Sequence, residues 1–344
     1  MKLSNATSLG LCAVALLGAV GVLPPRPAAA ADQPNVMKLS LATINDSQHE
    51  FCKQFAAAVE KDSGGRIKGE IYPASQLGAI PRQIEGVQFG AIQAYIGPPE
   101  FMTGLDERFE VLSAPGLVKN LEQGVRIAED PAVQRMMLAL GTNKGLHGIA
   151  LFIAQPSAFI ARDALRHLAD FKGKKLRVLA AEMQQETLKR LGATPVAMTL
   201  GDVLPAIQQG AIDGALAAMT VYTTMHYFDA AKYITESPGL PFIFSLAVMS
   251  KRWYDALPAD LRKIVDEDAA KAAKAVDPWE VDFYNKQRKV WTDSKGEIIA
   301  LPEAEQATMI KSLSTVGSDL AKKHPELKAD FDIFAAAAKR TAQP

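Results

Sequence analysis

Motifs for metal or nucleophile chemistry are missing from this sequence. Its five histidines, His49, His147, His167, His226 and His324, are scattered. None pairs at metal-site spacing, and there is no HExxH and no CxxC. Gly-x-Ser-x-Gly, P-loop and GxGxxG patterns are absent too, so no metal and no cofactor is expected. Cysteine is scarce: of two in the chain, Cys12 falls in an N-terminal apolar run. Cys52 lies in an apolar helical stretch that suits a small core residue, so no internal disulfide is expected. An excess of one charge is lacking as well, with 38 basic against 38 acidic side chains. That balance offers no basic surface to a nucleic acid. There is no solenoid repeat and no low-complexity linker.

What is present begins with an export pattern. Lys2 precedes the apolar run Leu9–Leu23, "LGLCAVALLGAVGVL", and "PPRPAAAAD" follows. A charge, a short apolar core and small residues read as a secretory signal peptide over residues 1–31, cleaved after about Ala31. The run is short for a membrane span and prolines end it. The body then alternates strand and helix. "MKLSLATI" reads as a strand. The helix after it carries a capping-box pair, Ser47 and Glu50, and an apolar face of Phe51, Phe55 and Val59. "RIKGEIYP", a short helix and "AIQAYIG" continue the alternation, which is the α/β pattern with a mainly parallel sheet. One amphipathic helix is expected over Leu121–Leu140. In "GDVLPAIQQG", Asp202 is placed to cap a helix and Pro205 to sit in its first turn. A long helical pattern from Pro258 to about Trp291 is expected to span both lobes and bend at Pro278.

One short strand raises a chemical question. In "GKKLRVLAA" (Gly173–Ala181) an arginine, Arg177, sits among apolar residues. A buried unpaired guanidinium is costly. Its partner is either a carboxylate of the chain, such as Asp213 or Glu182, or a molecule that arrives from outside.

Four stretches resemble the solute-binding proteins of tripartite ATP-independent periplasmic (TRAP) transporters, DctP type. They are "SGGRIKGEIYPASQLG", "FKGKKLRV", "LGATPVAMTLGDVLPAIQQGAIDG" and "AAKYITESPGLPFIFSLAVMSKRWYDALPADLRKIV", in the family's order. The resemblance implies a two-lobed periplasmic binding protein of the Venus-flytrap kind. Each lobe is then a mainly parallel sheet flanked by helices, with the long helix spanning both. Lobe I is expected over residues 32–154 plus 243–282, and lobe II over residues 155–242 plus 283–344. It implies a small carboxylate ligand, delivery to small and large membrane permease subunits in the periplasm, and no chemistry on the ligand. Arg177 aligns with the family's carboxylate-gripping arginine, whose rigid fork suits bidentate pairing.

Departures from the family's pattern narrow the ligand. Ala180 and the "ALAA" after Asp213, including Ala217, stand where other members carry polar residues. The preceding strand supplies Gln155 and Phe159 but no second arginine. Arg82 is the nearest other cation nameable from lobe I. An apolar wall rejects groups that need partners, so a ligand with one carboxylate and an apolar or aromatic body is expected. Tyr95, Tyr222 and Phe242, with Phe244, are candidate aromatic walls. His49 matches a helix-start histidine of the family, and Gln76 lies in a strand-end loop. The competing readings are a C4-dicarboxylate or small hydroxy- or keto-acid binder, a periplasmic sensor module and, last, an exported enzyme.

Overall fold

A computed structural model describes residues 34–342. The expected signal peptide, residues 1–31, lies outside them. The chain runs β1 (Asn35–Leu41), α1 (Ser47–Asp62), β2 (Ile67–Tyr72), α2 (Ile80–Phe89) and β3 (Ala94–Gly97). Two 3-10 turns follow, Pro99–Met102 and Glu107–Ser113, and then α3 (Leu121–Ala128), α4 (Pro131–Ala139) and β4 (Leu146–Ala161). Next come β5 (Lys175–Val178), α5 (Glu182–Arg190), β6 (Thr194–Ala197), α6 (Leu200–Gln208), β7 (Gly214–Ala218) and α7 (Met219–Thr224). The chain returns through β8 (Tyr233–Glu236), β9 (Phe242–Ser250), α8 (Lys251–Ala256) and α9 (Ala259–Asp293). It ends with β10 (Glu297–Ala300), α10 (Glu303–Leu313), α11 (Val316–Lys323) and α12 (Pro325–Arg340).

The strands follow the order β2-β1-β3-β9-β4-β7-β5-β6, with β8 on β4 and β10 on β8. The outer pairings are parallel: β1 with β2 and β3, and β5 with β6 and β7. The centre is antiparallel, because β4 and β9 are the long strands that cross between the two halves. Residues 146–156 of β4 pair with β9, and residues 157–161 pair with β7. The pairing with β9 slips between Ile153 and Gln155, so β4 changes partners just after an irregularity. The α/β layering expected from the sequence is present, with this mixed centre added.

Period-3.6 apolar spacing explains the helical layer on the first sheet. Phe51, Phe55 and Val59 of α1 are fully buried, and Phe51 stacks on Phe152 of β4 at 4.8 Å. Leu261, Val265, Ala269 and Val276 of α9 complete the same cluster. Cys52 is buried within it and free. Each buried phenylalanine contributes about 2–3 kcal/mol of transfer free energy.

Local details differ from the sequence reading where a side chain chose a better cap. Asp46, not Ser47, caps α1 by accepting from His49 N at 3.1 Å. The expected helix over 121–140 is two helices, because Pro131 cannot continue α3. Asp130 instead caps a fresh start by accepting from Ala132 N and Val133 N. Helix α6 starts at Leu200, with Thr199 at its cap, and carries Pro205 inside rather than in its first turn. Helix α9 continues through Pro278 over 35 residues. Among the described residues no helix is long and apolar enough to cross a membrane.

Candidate functional site

The ends of β1, β3, β5 and β7 meet around one cavity, whose empty space, counted with the solvent open to it, is about 510 Å³. Crevices at the carboxyl ends of strands are the usual ligand sites of α/β sheets. One wall comes from the β1–α1 segment (Thr43, Asp46, Ser47, Gln48), the start of α2 (Ile80), β3 (Tyr95) and the 3-10 turn after it (Phe101). The other comes from β5 and its end (Arg177, Leu179), Leu200, Ala217 and Ala218 of β7, Thr220 and Val221 of α7, and Ile243.

Arg177 is the cation of this lining and Asp46 the acid. The arginine sits on the middle strand of its half-sheet, opposite Val196 and Ala215, and is 1 % exposed. Its Nε donates to the main-chain oxygen of Met198 at 3.0 Å, and its guanidinium carbon lies 5.9 Å from the Phe101 ring centroid. The terminal nitrogen Nη2 is buried and has no partner among the described residues. Burial pulls the Arg177 pKa below its ordinary value, and neighbouring Tyr227 and Tyr222 oppose that shift. The carboxylates of the chain that stood as partners are engaged elsewhere. Asp213 accepts from Lys175 N at 2.8 Å and faces Arg162, while Glu182 pairs with Lys323 at 2.6 Å and His324 at 3.0 Å.

Tyr95 of β3 lines the cavity, and its buried hydroxyl has no partner among the described residues. Burial raises its pKa, and Glu100 adds to the rise. A side chain at Gly97 would collide with this hydroxyl, so the glycine makes room for the ring. The carboxyl of Asp46 is occupied by its cap and by Thr43, and burial raises its pKa.

Residues 40–323 match the family described as bacterial extracellular solute-binding protein, family 7 (DctP). The chain belongs to this family. It is a family of extracellular solute-binding proteins, which are not enzymes. The C4-dicarboxylate-binding periplasmic protein DctP of Rhodobacter capsulatus is 26 % identical over 317 residues, 90 % of this chain and 93 % of that one. A TRAP periplasmic solute-binding protein from Desulfovibrio salexigens, solved with orotic acid, superposes with a TM-score of 0.83 at 19 % identity. It covers 89 % of this chain and 99 % of its own. The Shewanella oneidensis protein solved with succinate gives 0.82 at 22 %, covering 89 % and 100 %. The fold is the two-lobed fold of these TRAP proteins.

Within the family fold, the residues singled out from sequence fall in different places. Arg177, Tyr95 and Ala217 share the cavity wall. Gln155 lies behind it, donating through Nε2 to Glu280 and accepting from Thr220 N at 2.8 Å. The Tyr222 hydroxyl lies 2.9 Å from the carbonyls of both Ala158 and Ala215, away from the lining. Phe159 packs edge-on against Phe171, and Phe244 against Phe334. Phe242 is buried at the start of β9, where its neighbour Ile243 supplies the wall. Ala180 and Gln76 are exposed. His49 accepts from Asn45 N at 3.0 Å, and burial lowers its pKa. Arg82 is exposed and pairs with Glu85 at 3.1 Å, away from the cavity.

Sequence reasoning missed Leu179, Phe101, Thr43 and Thr220. The first was findable: two residues beyond Arg177 on a strand is the same face. Thr220 and Phe101 follow turns whose direction no local pattern reveals.

Several acids away from the cavity lining carry raised pKa values. Burial pushes Glu100, which accepts from Ser113, to about 7. It does the same to Glu110, which accepts from Met183 N at the start of α5, and to Asp277. Each holds a proton when folded that it releases when unfolded at neutral pH. Their stabilising contribution is therefore full below the ordinary carboxyl range and lost as pH rises through about 7. Thermal unfolding scans are expected to show the melting temperature falling from about pH 5 to about pH 8. A rise over that interval would contradict these assignments.

Proposed function

We propose that this protein is the periplasmic solute-binding component of a TRAP transporter. It captures an organic acid with one carboxylate and an apolar or aromatic body, and passes it to membrane permease subunits without altering it. The observation that carries this reading is the Arg177 guanidinium, with Nη2 buried and unpartnered on the cavity wall. A carboxylate satisfies it with a charge-assisted bond, and the Tyr95 hydroxyl is a second donor from the facing wall. Ile80, Leu179, Leu200, Val221 and Ile243 supply the surface for an apolar body. A second carboxylate would find Asp46 rather than another cation in this lining. The two half-sheets, joined by β4 and β9, are the lobes that close on the ligand. The leader-like residues 1–31 and the family support a periplasmic location.

A thermal-shift screen tests the ligand class. Benzoate and phenylacetate are expected to raise the melting temperature more than succinate or malate at equal concentration, since stabilisation grows with occupancy. Larger shifts with the dicarboxylates would overturn the monocarboxylate reading and favour the specificity named for the Rhodobacter relative.

A further inference from the structure

Directly behind the cavity one carboxyl joins segments far apart in sequence. Glu280 of α9 is fully buried, as is Gln155 of β4. Gln155 sits where β4 slips against β9, two residues before it begins to pair with β7. Its amide orientation is fixed chemically. The Thr220 main-chain N–H can only donate, so Oε1 of Gln155 must face it, and Nε2 must then donate to Glu280. The second carboxyl oxygen of Glu280, Oε2, is buried without a hydrogen-bond partner among the described residues. Thr220 lines the cavity. The path Glu280–Gln155–Thr220 therefore ties the Thr220 wall to the long helix through the crossover strand.

We infer that Glu280 is a positioning residue of the binding site, holding the Thr220 wall in place against the crossover strand and the long helix through Gln155. The inference rests on the proposed reading of the cavity as the ligand site. Glu280 does this as a neutral acid. The ionisable groups it faces are two further acids, Asp46 and Asp277, with no cation beside them. Burial without a counter-charge holds a carboxyl protonated, and the Glu280 pKa is raised well above the ordinary value. A neutral acid still accepts from Gln155 through its carbonyl oxygen.

The test compares Glu280→Gln, Glu280→Ala and Gln155→Leu with the wild type. Two readouts are used: hydrogen exchange at the Thr220 amide, and titration calorimetry with the acid of the screen that most stabilises the wild type. A glutamine reproduces the neutral acceptor, so Glu280→Gln is expected to bind within about threefold of wild type and to keep Thr220 protected. Glu280→Ala and Gln155→Leu are expected to exchange Thr220 at least about tenfold faster and to bind at least about tenfold more weakly, with the Leu39 amide of β1 still protected. Wild-type affinity and a protected Thr220 in both of those variants would overturn the inference. Should Glu280→Ala fail to fold, Gln155→Leu decides by the same two readouts. If Glu280→Gln is as weak as Glu280→Ala, the neutral-acid role is wrong. If Arg177→Met binds as the wild type does, or no acid of the screen binds, the cavity reading fails, while Thr220 exchange still reports on Glu280.

Discussion

Arg177→Met is expected to abolish ligand binding and, at the same time, to make the ligand-free protein more stable. The two effects have one cause. In the free protein Nη2 is buried without a partner, and an uncompensated buried charge is a cost that an apolar side chain of similar length removes. Replacing buried charged groups by well-packed apolar ones is neutral or stabilising by about 1–4 kcal/mol. Here the gain is offset by about 1 kcal/mol for the lost bond to the Met198 oxygen. In the complex the balance reverses. Losing one partner of a buried, hydrogen-bonded charge pair costs about 2–5 kcal/mol, from about thirtyfold to several thousandfold in affinity. Urea denaturation without ligand reads the first effect and titration calorimetry the second. A variant that loses both stability and binding would make Arg177 a structural residue.

Gly214→Ala is expected to destabilise the fold by more than about 3 kcal/mol, or to prevent folding. Gly214 pairs with Ala161 across β7 and β4. A Cβ there would press into the Ile160 carbonyl oxygen and lie 2.9 Å from the Ala161 Cα, so main chain, not a flexible side chain, would have to move. The displacement would travel along β7 to Ala217 on the cavity wall. Denaturant unfolding of the purified variant measures the loss. A change under about 1 kcal/mol would mean that the strands part without strain.

Gly214 also shows what the sequence made legible. The Asp-Gly pair stood out as part of a family pattern, and the structure gives both residues a physical task. Asp213 accepts from Lys175 N and so seats the start of β5, while Gly214 lets β4 and β7 close up. Arg177 was legible for a similar reason, since a charge within an apolar strand is a local contradiction. The boundaries that went astray turned on competition between neighbours. Asp46 outcompeted Ser47 for the cap of α1, and Asp130–Pro131 split one amphipathic pattern into two helices. Glu280 and Gln155 were illegible as a pair because 125 residues separate them and only the fold brings them together. Tyr222, Phe159 and Phe244 were expected at the ligand and are instead buried outside the cavity lining, because periodicity cannot tell a core face from a cavity wall.

The reading rests on a carboxylate meeting Arg177. Calorimetric titration of the wild type and Arg177→Met, each with the best acid of the screen and with its primary amide, tests this most directly. The amide keeps the body and removes the charge. The wild type is expected to bind the acid at least about a hundredfold more tightly than the amide, with that preference gone in Arg177→Met. Equal affinity of the wild type for acid and amide, or a preference that survives in Arg177→Met, would contradict the carboxylate grip.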